Sequence, residues 1–141
     1  MKLAIHSPRS SYYIGGAERY VLNLTEHLIE LNIDVFLVTY DAPIKSEWFK
    51  KFYKKFRNKT VLIKSKEIDL NFKEFKFGTK PRIWDNESII FSKACKRFYE
   101  NSNFTDISYH YAVDCLGAPS NKKIHLHLHG LPDKKREIEN R

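Results

Sequence analysis

The first 40 residues alternate between two hydrophobic patterns, and this alternation restricts the possible folds more than any other feature. Short, nearly continuous apolar runs occupy Lys2–His6 and Ile33–Tyr40, as expected for strands that are buried on both faces. Between them, Val21, Leu24 and Leu28 recur at helical spacing. Strand, helix and strand in so short a stretch predict a right-handed βαβ unit, which is built on parallel strands.

The same alternation continues along the chain. Further patterns predict helices at 46–56 and 86–101 and strands at 60–64, 105–112 and 122–130. Residues 68–84 have no clean period and are expected to be irregular, with a turn at Gly78, a break at Pro81 and a helix cap at Asn86. Asn32 is expected to end the first helix in left-handed geometry. The order predicts one α/β domain over residues 1–141, Rossmann-like and doubly wound around a mainly parallel sheet.

Composition narrows the classes of function. At 42% hydrophobic residues, the chain is too apolar for a disordered protein. A net charge of +8 suggests an anionic partner, but the basic residues are scattered and no nucleic-acid-binding motif occurs, so no nucleic-acid partner is expected. Cys95 and Cys115, without a signal peptide or a membrane-length apolar run, fit a cytoplasmic protein that could lie at the inner membrane face.

Two adjacent glycines, Gly15 and Gly16, stand where the loop after the first strand enters the first helix. A helix N-terminus at this point offers free backbone N–H groups and a positive dipole end, and glycine lets a phosphate approach the main chain. An ordinary tight turn is the alternative interpretation. A dinucleotide-binding fingerprint needs a third glycine that GGAER lacks, although Asp41 could hold a ribose. A nucleotide- or dinucleotide-binding module therefore stays a second hypothesis.

Several segments, taken together and in chain order, resemble the N-terminal half of a retaining, nucleotide-sugar-dependent glycosyltransferase of family four, which has the GT-B fold. They are GGAER at 15–19, VLNLTEHLIELN at 21–32, IDVFLVTY at 33–40, TDISYHYAV at 105–113 and HLHG at 127–130. Residues 42–100 match only in general pattern. The resemblance implies sugar transfer from a nucleotide-sugar co-substrate to a glycan or lipid-linked acceptor, without a metal or another cofactor.

The resemblance also implies roles for particular residues. Gly15 and Gly16 would approach the donor diphosphate and the acceptor, and His129 would lie beside the donor sugar and orient it by hydrogen bonding and electrostatics. Glu18 matches the motif, with a structural role at the helix start equally open. The family's C-terminal domain binds the nucleotide and carries an ExxxxxxxE pattern, and the segments that resemble the family include no part of that domain. The chain is therefore expected to be a truncated acceptor-side domain, inactive without that domain.

Four further residues are candidates for contacts with an acceptor. Arg9 and Tyr13 precede the double glycine, where arginine could meet an anionic group and tyrosine could stack on a sugar. His110 and Tyr111 follow a predicted strand and should emerge at the carboxyl edge of the sheet. For each of the four, a loop role without a ligand is an equal alternative.

The last predicted strand carries His125, His127 and His129 at alternate positions, which puts the three side chains on one face. Such a row could hold a transition metal, but no carboxylate clusters with it except Asp133, and no metal site is predicted. We expect His129 to lie in the cleft, with His125 and His127 deeper and hydrogen-bonded to polar neighbours.

Residues 46–59 form a basic aromatic segment. As a helix it would present Trp48, Phe49 and Phe52 on one face and its lysines largely on the other. That character suits peripheral contact with an anionic membrane surface. It equally suits a helix that packs on the sheet and leaves its basic face in solvent.

Overall fold

A computed structural model of the protein describes residues 1–66, residue 69 and residues 81–129, with the backbone alone for residues 81–85. Strands and helices alternate in this part of the chain. The strands are β1 (Leu3–His6), β2 (Val35–Tyr40), β3 (Thr60–Ile63), β4 (Asp106–Tyr109) and β5 (Lys123–Leu126). The helices are α1 (Gly16–Glu30), α2 (Glu47–Phe56) and α3 (Pro81–Glu100), with short 3-10 helices at Arg57–Lys59 and Ala112–Gly117.

The five strands form one parallel sheet in the order β3-β2-β1-β4-β5. The central strand β1 pairs with β2 on one edge and with β4 on the other, so that His6 lies opposite both Val38 and Tyr109. This arrangement confirms the predicted α/β class and is consistent with a Rossmann-like, doubly wound fold. The strand order reverses between β1 and β4, and connections that leave in opposite directions open a crevice there.

Helices cover both faces of the sheet, and each face has its own apolar cluster. On one face, α1 and α2 pack on the strands through Ile5, Val21, Leu22, Leu37 and Phe49. On the other face, α3 packs through Val38, Phe91, Tyr99, Ile107 and Tyr109. Helices on both faces explain why the strand sequences are apolar almost without interruption.

Most of the predicted elements are confirmed, but the start of α3 is not. The helix begins at Pro81, so the predicted irregular stretch is wrong at residues 81–84 and Asn86 lies inside the helix rather than at its cap. Proline is compatible with the first helical turn because its missing N–H would have no intrahelical acceptor there. The expected turn at Gly78 lies outside the described residues. Asn32 has φ of 60°, which confirms its left-handed geometry.

The basic aromatic segment packs on the sheet. Phe49 and Phe52 of α2 are buried in the core, with Tyr53 and Phe56 packed against them. Trp48 is 45% exposed and lies beneath the Arg19 guanidinium, 5.4 Å from ring centroid to Cζ. Most of the aromatic face of α2 is therefore packed in the core, and little of it is left to contact a membrane. No described helix is long and apolar enough to cross a membrane.

Gly117 lets the 3-10 helix approach α3 closely. A Cβ atom built on Gly117 would lie 2.7 Å from the backbone carbon and the backbone oxygen of Ser92. A helix backbone cannot give way as a flexible side chain can. Any larger residue therefore has to push the segment after β4 away from α3.

We predict that Gly117→Ala lowers the free energy of unfolding by about 1–3 kcal/mol because it overpacks this contact. Urea unfolding measures the effect. Gly16→Ala is the matched control, since a Cβ at Gly16 would meet no atom within 4 Å. A Gly117→Ala protein as stable as the Gly16→Ala protein would contradict the close contact.

Candidate functional site

The candidate site is a cavity of about 220 Å³ at the carboxyl ends of β1 and β4, where the strand order reverses. Its walls come from the end of β1, the loop that follows, the first turns of α1 and the segment after β4. The lining residues are His6, Ser7, Pro8, Arg9, Tyr13, Gly15, Gly16, Ala17, Glu18, Val21, His110, Tyr111 and Asp114. Doubly wound folds bind their ligands at this position.

Arg9 joins two walls of the cavity to α3. Its guanidinium donates from Nη1 to Ser88 Oγ of α3 (2.9 Å), and its Nε lies 3.7 Å from Glu18 Oε1 of α1. The Cζ atom lies 5.1 Å from the ring centroid of Tyr111 after β4. Nearby, Tyr12 donates to Glu87 Oε2 of α3 (2.8 Å). The loop after β1 is thus tied into the fold by buried polar contacts, which are costly to break.

The two glycines have different roles. A Cβ on Gly15 would lie 2.9 Å from Glu18 Oε2 and 3.0 Å from Tyr13 Cε1, so a larger residue here would displace these two side chains. The Gly15 N–H donates to Glu18 Oε2 (3.1 Å), which satisfies one free donor at the start of α1. Gly16 instead borders open space. Gly15 therefore makes room for Glu18 and Tyr13, whereas the space beside Gly16 is free for a ligand.

Glu18 also sets the charge at the helix start. Its carboxylate is buried against the N-terminus of α1 and beside Arg9, so an anion of the protein already occupies the positive end of the helix dipole. A second anion here would meet this negative charge. The N-terminus of α1 is consequently better suited to a neutral hydroxyl than to a phosphate, the ligand that the two glycines suggest.

A cluster of histidines adjoins the cavity. His110 is 7% exposed and lines the cavity, with Nε2 3.0 Å from Ser108 Oγ and Nδ1 2.9 Å from His129 Nε2. His127 stacks on His110 with ring centroids 4.9 Å apart, and Tyr20 packs edge-on against His129 at 4.8 Å. Burial, with a smaller effect of the neighbouring histidines, lowers the pKa of His110 to about 4. Burial also lowers the pKa of His129.

His6 lies beneath the cavity and was not singled out from the sequence. It is fully buried, with Nδ1 2.7 Å from the Tyr99 hydroxyl. Burial above all, then Arg9 and His110, lowers the pKa of His6 to about 3. The sequence did carry a signal for this residue, because His6 is a histidine at the end of a predicted buried strand. The cavity floor is therefore an uncharged imidazole at neutral pH.

Most of the predicted site residues lie together. Arg9, Tyr13, Gly15, Gly16, Glu18, His110 and Tyr111 line the same cavity, and His129 is joined to it through His110. The expectation that His127 lies deeper than His129 is wrong, because both are exposed beyond the end of β5. His125 is half-buried, with Nε2 2.9 Å from Asp106 Oδ2. It has no part in the cavity lining.

Two of the alternative ligands, a ribose and a metal ion, have few side chains available to bind them. Asp41, the candidate for a ribose, pairs with Lys45 at 2.8 Å and lies 3.8 Å from Lys64. Within residues 1–66, 69 and 81–129, no three histidine, cysteine, aspartate or glutamate side chains are arranged to hold a metal ion. His110 and His129 direct two ring nitrogens at each other.

These observations define an α/β protein of the Rossmann-like, doubly wound class with a cavity at its switch point. No family model, curated protein or solved structure matches the chain. The lining residues themselves are therefore the basis for any assignment of function.

The low pKa of His6 predicts a loss of stability in acid. The unfolded chain takes up a proton on His6 below its ordinary pKa of 6.5, whereas the folded protein does so only near 3. Stability therefore falls as the pH drops below 6.5. Between pH 7 and pH 5 this residue alone should remove about 2 kcal/mol from the free energy of unfolding.

Urea unfolding of wild type and His6→Gln at both pH values tests this expectation. The variant should lose about 2 kcal/mol less than wild type over the interval, because glutamine does not titrate. His27→Gln, at an exposed position on α1, is the control and should follow wild type. Equal losses for wild type and His6→Gln would contradict the neutral buried imidazole.

Proposed function

We propose that this chain is the N-terminal, acceptor-side domain of a GT-B glycosyltransferase, which moves a sugar from a nucleotide-sugar to a glycan or lipid-linked acceptor. One observation carries the proposal. Glu18 of the GGAER segment lines the cavity, and His129 of the HLHG segment, far away in sequence, bonds to His110 of the same lining and packs against Tyr20 of α1. Both segments belong to the family resemblance.

The chemistry of the lining supports a sugar as ligand. His6 and His110 are neutral at physiological pH, and Arg9 is already paired with Glu18. Such groups offer hydrogen bonds rather than net charge, which suits the hydroxyls of a sugar. Tyr13 adds an aromatic ring to the same wall. His129, at the edge of the cavity, would hydrogen-bond the reacting sugar and stabilise charge that develops in the transition state.

Size and charge favour the acceptor over the donor at this point. A volume of about 220 Å³ is below the roughly 300–1,000 Å³ that holds a drug-sized ligand, so the cavity suits one sugar unit rather than a dinucleotide. The Glu18 carboxylate repels a diphosphate but accepts hydrogen bonds from hydroxyls. In this proposal the nucleotide part of the donor belongs to the C-terminal domain, and the acceptor hydroxyl lies near Gly16.

A lipid-linked acceptor would put the domain in the cytoplasm, at the inner face of the membrane. The contact would involve the exposed part of α2, with Lys50, Lys51, Lys54 and the indole of Trp48. Lysines near an anionic surface are each worth about 1 kcal/mol. The buried aromatic face of α2 would take no part.

The test is a transfer assay with the full-length natural protein and a panel of nucleotide-sugars. We predict that His129→Ala lowers kcat/KM by about 100-fold or more, as removal of a transition-state hydrogen bond does elsewhere. His125→Ala is the matched control, because His125 lies on the same stretch of chain but bonds to Asp106 away from the cavity.

Two results would argue against the proposal. If the protein turned over none of the nucleotide-sugars, the proposed transferase function would be wrong. Full activity of His129→Ala would show that His129 is not the catalytic histidine. Tight binding of a dinucleotide would instead favour the nucleotide-binding alternative, which the position of the cavity at the switch point also allows.

A further inference from the structure

We infer that Ser108 and His110 form a positioning pair that decides which ring nitrogen of His129 carries the proton. The catalytic meaning of this inference rests on the proposed function, whereas the positioning itself does not. His110 thereby acts through another residue, rather than as the acceptor contact that its place after β4 suggested.

The three side chains form one hydrogen-bonded row. Ser108 Oγ lies 3.0 Å from His110 Nε2, and His110 Nδ1 lies 2.9 Å from His129 Nε2. Ser108 and His110 are buried, whereas His129 is exposed. The row thus connects a rigid strand, β4, to a residue that lies beyond the end of β5.

Burial fixes the number of protons on the His110 ring. His110 is neutral near pH 7, and a neutral imidazole has one N–H donor and one acceptor nitrogen. If its Nδ1 donates to His129, then its Nε2 must accept from the Ser108 hydroxyl. If His129 Nε2 donates instead, His110 Nε2 must donate to Ser108 Oγ. The direction of the Ser108 bond and the tautomer of His129 are therefore coupled.

This coupling determines what His129 offers to a ligand. Its Nε2 is committed to His110, which leaves Nδ1 as the ring atom that can act elsewhere. That atom is a donor in the first arrangement and an acceptor in the second. The Tyr20 ring, packed edge-on at 4.8 Å, restricts rotation of the imidazole. A histidine in an exposed segment is thus held in one orientation by groups beneath it.

Imidazole nitrogen spectra of the labelled full-length protein at pH 7 test the inference directly. His129, assigned by comparison with His129→Gln, should show the nitrogen shifts of one tautomer in wild type. In Ser108→Ala these should move toward values averaged between the two tautomers. Ser108→Thr, which keeps the hydroxyl, should restore the wild-type shifts.

Thr25→Val is the matched control, because it removes a buried hydroxyl that donates to the Val21 backbone oxygen within α1. It should leave the His129 shifts unchanged. His110→Gln, which removes the second imidazole, should move them as Ser108→Ala does and so provides a second test if Ser108→Ala does not fold. Wild-type shifts in a folded His110→Gln or Ser108→Ala protein would overturn the inference.

Kinetics supply a second readout. In the transfer assay, Ser108→Ala should lower kcat about 10-fold and leave the acceptor KM unchanged, because it disturbs a group used only in the transition state. Combined with His129→Ala, it should cause no further loss. A change in KM alone would contradict positioning. Absence of transfer by wild type would end the proposed function but not the inference, which the nitrogen spectra decide.

Discussion

The parallel pairing of β1 with both β2 and β4 is the constraint on which the rest of the molecule depends. A strand that is hydrogen-bonded along both edges and covered on both faces has no contact with water, and Ala4, Ile5 and His6 are fully buried. The chain then has to leave β1 toward one side of the sheet and β4 toward the other. A crevice between those two departures follows from the topology, whatever side chains line it.

Desolvation determines which groups in that crevice carry a charge. His6 and His110 lose their charge because burial disfavours the protonated ring, and the Arg9 guanidinium is paired with the Glu18 carboxylate. The helix N-terminus, which in isolation would attract a phosphate, is occupied by that same carboxylate. The result is a cavity that contains neutral imidazoles and an Arg9–Glu18 ion pair, inside a protein with a net charge of +8.

The sequence predicted those parts of the fold that local periodicity controls. The βαβ unit, the left-handed Asn32 and the amphipathic α2 all depend on residues close together in the chain, and all are confirmed. The start of α3 at Pro81 was missed because proline can either end a helix or begin one. The bond between His110 and His129 joins different segments, so no local pattern could reveal it. The close contacts of Gly15 with Glu18 and Tyr13 likewise depend on how these side chains pack, which the GG pair alone does not reveal.

Arg9 has a mechanical consequence beyond its charge. Because one buried guanidinium contacts α1, α3 and the segment after β4, none of these three elements can move away from the loop without exposing an unpaired ion or breaking a buried hydrogen bond. A connecting loop of this kind would ordinarily fray independently of the core. Here the loop can open only when these buried contacts break, so we expect the cavity to keep its shape when no ligand is bound.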